Sequence, residues 1–366
     1  MNANTGRELT TAKNEVMTIK EIARLAGVSI GTVDRVLHGR GRVSAQNTAR
    51  IQALVAERGY KANLFASRLS AGAGLKTIGV LLPQTDQDAG YWKFIEHGMG
   101  KAAEELEPLK ITIHLEGFDR LSATDCARAF GRLVEEGCDA LALAPIHNTV
   151  LRPLIDALPE GFPLVFFDTD LDCRHLHGFV GQDPFQGGLL AGKLLGMATL
   201  RGRPLALVRF DEDDAHLNRR AEGFVRSCLK QNREVLELHQ RLGVGVEDRR
   251  LDLAHFVLGH PEVAGLFVPN ANVSDYARSG SGLRVVGYDL TPPNVAALRE
   301  GRIDVLISQR PETMGAEAIR LLSRALLFGE KLPANVNLPL DVVLPENLEG
   351  FLEATSTGPP SASVAL

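Results

Sequence analysis

The spacing of apolar and polar positions divides this chain into a short helical head and a long body in which strands alternate with helices. In Thr18–Leu37, TIKEIARLAGVSIGTVDRVL, apolar residues recur at helical spacing on both sides of a break at 26–29. Gly27 suits a corner with positive φ, and Ser29 is a good N-cap for the second helix. A third helix is predicted to begin after Ser44. This layout is typical of a helix-turn-helix, whose second helix enters the major groove of DNA.

The body, from residue 77 onward, contains short apolar runs separated by amphipathic helical patterns. The predicted strands are 78–82, 111–115, 140–144, 163–167, 204–210, 265–269, 284–289, 304–309 and 341–345. The predicted helices are 91–107, 122–136, 185–199, 217–231 and 311–328. Strands that alternate with helices indicate parallel sheets covered on both faces. Because so many units exceed one comfortable sheet, we expect two similar α/β lobes, with Asp170–His177 as one crossing between them.

These patterns give a division of the chain into five segments. The expected segments are a disordered N-terminal extension (1–17), the helix-turn-helix (18–62), a hinge helix and linker (63–75), a two-lobed body (76–354) and a disordered tail (355–366). Lobe 1 is expected to comprise about 76–172 and 308–337, and lobe 2 about 173–307 and 338–354. The fold class is therefore an all-α head joined by a hinge helix to an α/β body of two parallel-sheet lobes.

Composition and charge limit the classes of function that this chain can have. Of 366 residues, 45% are apolar and 23% are charged, as in soluble globular proteins, and no apolar run approaches the ~20 residues that cross a bilayer. The first sixteen residues lack the apolar core of a secretion signal. Four cysteines without CxxC spacing favour free thiols in a reducing cytoplasm. Residues 1–75 hold 11 Lys and Arg against 5 Asp and Glu, although the whole chain carries −5. A basic head on an acidic body fits a DNA-binding domain attached to another activity.

Several motifs in order resemble those of the bacterial lactose-repressor (LacI/GalR) family of transcription regulators. In the head these are A-G-V-S, T-V-x-R-V, V-S-x-x-T-x-x-x-I and G-Y-x-x-N, across about fifty residues. In the body they are F-D-T-D, G-Q-D-P-F-Q-G-G, R-x-E-G-F, P-N-A-N, V-G-Y-D-L-T-P and I-S-Q-R-P. The body also resembles the periplasmic sugar-binding proteins that share the fold of the family's ligand-responsive domain. The resemblance implies an effector-controlled transcription regulator, most often a repressor.

The candidate DNA-binding residues lie in the head and hinge. Ile30, Gly31, Asp34 and Arg35 would set base preference, whereas other basic residues would mostly contact phosphates. By resemblance, Leu69 of the hinge helix would wedge into the minor groove, with Arg68 near the backbone. The full candidate set is Thr18, Lys20, Ser29, Ile30, Gly31, Thr32, Asp34, Arg35, His38, Arg40, Arg42, Asn63, Arg68 and Leu69. Gly31 and Asp34 depart from many relatives, and Ala62 stands where many have proline, so the operator sequence cannot be borrowed from the family.

The candidate effector-binding residues follow predicted strands, because ligands of open α/β sheets bind beyond the carboxyl ends of the strands. Aromatic rings stack on the apolar faces of sugars, while carboxylates, amides and arginine bind hydroxyl and ring oxygens. The candidate set is Asp88, Tyr91, Trp92, Asp168, Arg220, Asn270, Asp289 and Gln309. These residue types suit a sugar or sugar derivative, but Asp86 and Asp88 could instead meet an amine, so an amino-acid-like effector stays open.

Other readings of the chain are weaker. Cys173, His175 and His177 lie close together, but a fourth metal ligand is not evident, and no metal or cofactor is expected. No nucleophile or base is placed by a third group, so an enzyme is not expected. A periplasmic-type solute-binding protein would share the body but would leave the head unexplained. We therefore expect a cytoplasmic homodimer, or a higher oligomer, that binds near-palindromic operator DNA and a small effector but no membrane.

Overall fold

The structure is a computed structural model that describes residues 19–37, 43–57, 74–212, 214–277 and 282–357. Some predictions lie outside these residues: the extension at 1–17, most of the hinge (63–73), the tail at 358–366, and seven candidate DNA-binding residues. Those residues are Thr18, His38, Arg40, Arg42, Asn63, Arg68 and Leu69. The side chains of Lys20 and Asp34 also lie outside the described part. The chain forms two compact units, 1–74 and 75–366, and each is described separately.

The first unit contains three helices: α1 (Ile19–Ala26), α2 (Ile30–Leu37) and α3 (Ala45–Glu57). Gly27 has φ +67°, which supplies the left-handed corner between α1 and α2. The buried side chains of Ile22, Val33 and Ile51, one from each helix, form the centre of a small apolar core. The predicted helix-turn-helix, with a third supporting helix, is therefore present.

The first lobe of the second unit is built on six parallel strands in the order β11-β5-β4-β3-β1-β2. Its strands are β1 (Lys76–Pro83), β2 (Ile111–Phe118), β3 (Ala140–Leu143), β4 (Leu164–Phe167), β5 (Gly178–Gly181) and β11 (Val336–Asn337). Its helices are α4 (Tyr91–Leu106), α5 (Ala123–Glu135), α6 (Asn148–Asp156) and α11 (Pro311–Phe328), with 3₁₀ turns at Asp88–Gly90 and Glu107–Leu109. The central strands β1, β3 and β4 are buried almost throughout, as expected of a parallel sheet covered on both faces.

The second lobe repeats this plan in the order β12-β10-β9-β8-β6-β7, and only β12 runs antiparallel. Its strands are β6 (Leu205–Phe210), β7 (Val235–Gln240), β8 (Gly265–Phe267), β9 (Arg284–Tyr288), β10 (Val305–Ser308) and β12 (Asp341–Val343). Its helices are α7 (Pro184–Ala198), α8 (Ala215–Lys230), α9 (Val246–Gly259), α10 (Pro292–Arg299) and α12 (Leu348–Thr357), with a 3₁₀ turn at Val273–Asp275. At Gly188, α7 and α8 approach so closely that a Cβ would overlap the Arg220 carbonyl oxygen.

Two predicted boundaries are wrong. The first crossing between lobes does not lie at Asp170–His177, because β5 follows that segment and pairs with β4 (Phe166↔Phe179) in the first sheet. The chain instead crosses at 182–183, so lobe 2 does not begin at 173. The short run Gly178–Gly181 was missed because it has only four residues, two of them glycine. The tail predicted from 355 also begins too early, since α12 continues to Thr357.

Two further features concern composition. All four cysteines are free thiols, as the sequence predicted. Among the described residues, no helix is both long and apolar enough to span a membrane.

Candidate effector site and helix-turn-helix surface

Arg220, on α8, lies at the centre of a buried polar network between the two lobes. Its Nη1 donates to the carbonyl oxygen of Pro269 at 2.7 Å, and its Nη2 donates to Gln309 Oε1 at 2.8 Å. The guanidinium also lies over the Tyr288 ring, 3.6 Å from the centroid. Only 2% of Arg220 is exposed, so its charge is held by the protein and not by water.

Gln182 and Gln309, which lie in two of the segments that cross between the lobes, extend this network by hydrogen bonds. Gln182 Nε2 donates to Gln309 Oε1 at 2.5 Å, and Gln309 Nε2 donates to Asp289 Oδ2 at 2.9 Å. Burial raises the pKa of Asp289 to about 7, although the Arg220 charge and the Gln309 bond oppose that rise. Asn294, at the start of α10, donates to the Asp289 carbonyl oxygen at 3.1 Å and so fixes the end of β9. Asp289 itself has φ +67°, a strained conformation that is common at functional positions.

Tyr91 and Asp168 form the part of the network that belongs to lobe 1. The Tyr91 hydroxyl donates to Asp168 Oδ1 at 2.7 Å. Asp168 follows β4 with φ +64°, the counterpart of Asp289 after β9. Burial raises the pKa of Asp168, while the Arg220 charge and the Tyr91 bond limit the rise. The charges of the two strand-end aspartates, one from each lobe, thus interact with the same arginine.

The side chains of Asp88 and Trp92 contact each other and other residues of lobe 1. Trp92 Nε1 donates to Asp88 Oδ2 at 2.8 Å, and Arg120 Nε lies 2.7 Å from the same oxygen. The Trp92 ring is 2% exposed and meets the Tyr91 ring edge-on, with centroids 5.1 Å apart. Trp92 therefore packs inside lobe 1 and presents almost no surface on which a ligand could stack.

His216 and Asn270 complete the lobe 2 wall of the network. His216 lies one helical turn before Arg220, and burial together with the Arg220 charge lowers its pKa well below the ordinary value, despite a bond with the Asp168 backbone. Its imidazole is therefore neutral. Asn270 Oδ1 accepts from the backbone N–H of Asn272 at 3.1 Å. The side-chain nitrogen of Asn270 takes no part in this bond.

Five residues of this network each keep one buried side-chain atom without a hydrogen-bond partner among the described residues. These atoms are Gln182 Oε1, His216 Nε2, Arg220 Nε, Asn270 Nδ2 and Asp289 Oδ1. Nearly all buried polar groups in native proteins are hydrogen-bonded, so such a concentration points to a polar ligand. The set contains donors as well as acceptors, which matches a molecule whose groups both donate and accept.

The body contains one cavity beside Arg120 and Asp214 and a second cavity lined by residues of the network. One of about 610 Å³ is lined by Arg120, His147 and Asn148 of lobe 1 and by Asp214 and 241–244 of lobe 2. Another of about 380 Å³ is lined by residues that include Asp168, Gln182 and His216. Both volumes lie within the range of small-molecule sites.

The exposed start of α2 forms the candidate DNA-reading surface of the first unit. Ser29 Oγ accepts from the backbone N–H of Thr32 at 3.2 Å and so caps the helix, as predicted. Ile30 is 45% exposed, and Gly31 and Arg35 are also exposed. Arg35 Nε donates to the Gly31 carbonyl oxygen at 2.9 Å, which directs the arginine along the first turn of the helix.

The structure brings the candidate effector residues Tyr91, Asp168, Arg220, Asp289 and Gln309 into one network, with Asn270 beside it. Asp88 instead contacts Arg120 and accepts the indole N–H of Trp92. Four residues were missed in the sequence analysis, which are Arg120, Gln182, Asp214 and His216. Arg120 could have been found by the same strand-end rule, but the predicted strand stopped at 115, whereas β2 continues to Phe118.

The chain matches two family profiles. Residues 78–331 match the periplasmic binding protein domain, and residues 18–63 match the bacterial regulatory proteins of the lacI family.

Comparison with individual proteins shows the same two similarities, one to solute-binding proteins and one to transcription regulators. The ribose import binding protein RbsB of Bacillus subtilis is 22% identical over 219 residues, which are 57% of this chain and 69% of that protein. The HTH-type transcriptional regulator AscG of Escherichia coli is 34% identical over 142 residues, but the match spans only 38% of this chain and 41% of the regulator. A crystal structure described as a LacI transcriptional regulator from Bacteroides fragilis aligns with a TM-score of 0.71 at 26% identity, covering 76% of this chain and 99% of that one.

Proposed function

The chain belongs to the lacI family of bacterial regulatory proteins and carries a periplasmic binding protein domain, and from this premise we propose that it is a transcription regulator controlled by an effector. It binds operator DNA through α2 and a small polar molecule between the two lobes of its body. The role is that of a repressor rather than an enzyme, and it is exercised in the cytoplasm, where the DNA lies.

The observation that carries the effector half of this proposal is the buried network around Arg220. Five of its residues retain unpartnered polar atoms, and each buried group left unsatisfied costs about 1–3 kcal/mol. A ligand with several hydroxyl groups would remove much of that cost, because a hydroxyl both donates and accepts.

We propose a sugar or sugar derivative as the effector. Two carboxylates were suggested for the amine of an amino-acid-like effector: Asp88 is already held by Trp92 and Arg120, and Asp86 is exposed to solvent. Similarity to the ribose import binding protein supports a sugar as the class of effector. The identity of that protein's ligand is not transferred to this chain.

The DNA half rests on the exposed first turn of α2. The exposed residues Ile30 and Gly31 lie at the helix N-terminus, the part that reaches base edges in helix-turn-helix proteins. The exposed Arg35 lies in the last turn, and its side chain bonds back to the Gly31 carbonyl oxygen. We propose that a homodimer presents two such helices to half-sites of a near-palindromic operator about one helical turn apart. Arginine at such a position typically contacts guanine in the major groove.

A thermal-shift screen tests the effector assignment. Neutral pentoses and hexoses, sugar phosphates and amino acids would be compared at equal concentration with the full chain. We expect the melting temperature to rise with at least one neutral sugar and the rise to vanish in Asp289→Ala. The matched control is Asp304→Ala, which removes a lobe 2 carboxylate that pairs with Arg284 at 2.7 Å outside the network. A response to amino acids only would overturn the sugar assignment.

A DNA-binding assay tests the other half. DNA selected from a random pool would be titrated by fluorescence anisotropy at several salt concentrations. We expect affinity to fall steeply with salt and Arg35→Ala to cost about 1–3 kcal/mol of specific binding. Arg50→Ala, which removes a bond to the Leu25 carbonyl oxygen inside the same unit, controls for folding of the head. Selection that yields no enriched sequence would contradict the proposal.

A further inference from the structure

Arg120, which follows β2, joins carboxylates that belong to different lobes. Its Nε lies 2.7 Å from Asp88 Oδ2 in lobe 1, and its Nη2 lies 2.8 Å from Asp214 Oδ2 in lobe 2. All three side chains are largely buried, with exposed fractions of 9% for Arg120, 14% for Asp88 and 7% for Asp214. The Arg120–Asp214 bond is therefore a buried ion pair that spans the cleft.

On the lobe 2 side, Asp214 also caps the helix that carries the network. Its Oδ1 accepts from the backbone N–H of Leu217 at 3.0 Å, which fixes the first turn of α8. His216 lies in that turn and Arg220 follows one turn later. The position of Arg120 is thus transmitted to two residues of the candidate effector site.

On the lobe 1 side, Asp88 connects Arg120 to the aromatic pair. The oxygen that faces Arg120 also accepts the indole N–H of Trp92. Asp88 has φ +50°, so the turn that presents it is strained and relies on such contacts. One guanidinium consequently holds the start of α4 as well as the start of α8.

Electrostatics make this contact favour the closed lobes. Burial is the largest single influence and by itself would raise the pKa of Asp214. The Arg120 charge, acting together with the hydrogen bonds from Arg120 and the Leu217 backbone, brings the pKa below its ordinary value. Both partners are thus charged, and a buried ion pair that loses one partner leaves an uncompensated charge in a poor solvent. The geometry is compatible only with lobes that are close together, since the pair spans from one lobe to the other.

We infer that Arg120 is a positioning residue that latches the two lobes through Asp214 and thereby sets the effector-binding side chains of both lobes in place. The biological meaning of this latch rests on the proposed effector site, but the latch itself can be tested without any effector.

Hydrogen–deuterium exchange of the full chain, measured by mass spectrometry without added ligand or DNA, tests the inference. Asp214→Asn is the informative variant, because asparagine caps a helix as well as aspartate does but carries no charge to form an ion pair with Arg120. We expect exchange at least about tenfold faster in residues 119–122 of lobe 1 and in 214–218 of lobe 2. The matched control is Asp275→Asn, which breaks the buried Arg249–Asp275 pair (2.7 Å) inside lobe 2 and should leave 119–122 unchanged.

A milder variant covers the case in which Asp214→Asn does not fold. Arg120→Lys keeps the positive charge but lacks the planar fork that reaches both carboxylates, so it should produce a smaller increase in the same two segments. The double variant should show no more than the Asp214→Asn effect, because both changes break one interaction.

The outcomes separate a latch from a local role. Faster exchange confined to lobe 2 in Asp214→Asn would reduce Asp214 to a helix cap and overturn the inference. Unchanged exchange in lobe 1 with Arg120→Lys would also overturn it. Because no sugar or DNA is present, a failed sugar screen would count against the proposed function only.

Discussion

Asp289 gives the most quantitative test of the site, because its ionisation is coupled to the stability of the folded protein. The carboxyl is 1% exposed, with one oxygen bonded to Gln309 and the other without a partner among the described residues. Burial raises its pKa from the ordinary 3.8 to about 7. The folded protein therefore binds this proton more tightly than the unfolded chain does, and its stability should increase as the pH falls.

The size of this effect follows from the two pKa values. A rise of about three units corresponds to roughly 4 kcal/mol between the fully protonated and fully ionised limits. Between pH 8 and pH 5 only part of that range is crossed, so the group should add on the order of 3 kcal/mol to the free energy of unfolding. Asp289→Asn is neutral at both values and should lack this contribution.

The assay is urea unfolding of both proteins at pH 5 and pH 8, followed by circular dichroism and by the emission of Trp92, the single tryptophan. We expect the free energy of unfolding of Asp289→Asn, relative to that of the wild type, to be about 3 kcal/mol higher at pH 8 than at pH 5. The reason is that only the wild type carries the buried charge at pH 8. Coincident transitions from the two probes would justify a two-state treatment.

Asp139→Asn is the control for that assay. Burial would raise the pKa of Asp139, but bonds from Lys76 and from the Thr77 backbone lower it, so the carboxylate is charged at both pH values. Its replacement should cost the same at pH 5 and at pH 8. If Asp289→Asn also showed a difference independent of pH, the reasoning from burial to a raised pKa would be refuted.

Two further predictions concern packing and capping. Gly188→Ala should destabilise the second lobe by about 1–3 kcal/mol, because its Cβ would overlap the Arg220 carbonyl oxygen. Gly100→Ala places its Cβ in open space and should stabilise the protein by roughly 0.5–1 kcal/mol. Thermal unfolding measures both changes. Ser29→Ala removes the cap on the Thr32 N–H and should cost about 1 kcal/mol in the head, with weaker DNA binding in the anisotropy assay; unchanged stability would contradict the capping role.

The sequence predicted the sheets well because their central strands are nearly uninterrupted apolar runs. Each of the nine predicted runs overlaps a strand, and each of the five predicted body helices is present within two residues at either end. The strand-end rule also selected Asp168, Asp289 and Gln309, which the structure joins through Arg220 in one network. Periodicity and turn chemistry were sufficient for these elements.

The missed features depend on information that a local pattern does not contain. The edge strand β11 has only two residues, and β7 (VLELHQ) carries three polar residues among its six, so neither has the continuous apolar character of a central strand. Arg120 and Asp214 are 94 positions apart, and no spacing rule relates such a pair. Only the juxtaposition of the two lobes shows that the two charges meet.

The network also explains why ligand binding and lobe closure would be a single event. With the lobes in this arrangement, Arg220, Asp289 and their neighbours are buried, and several of their polar atoms have no protein partner in the described residues. Closure therefore gains the Arg120–Asp214 pair but bears the cost of those unsatisfied atoms. A ligand that supplies the missing hydrogen bonds has a much higher affinity for the closed form than for the open one, and only such a difference in affinity can shift a conformational equilibrium. On the proposed function, the polar atoms that would recognise the effector are thus the same atoms that would make the body responsive to it.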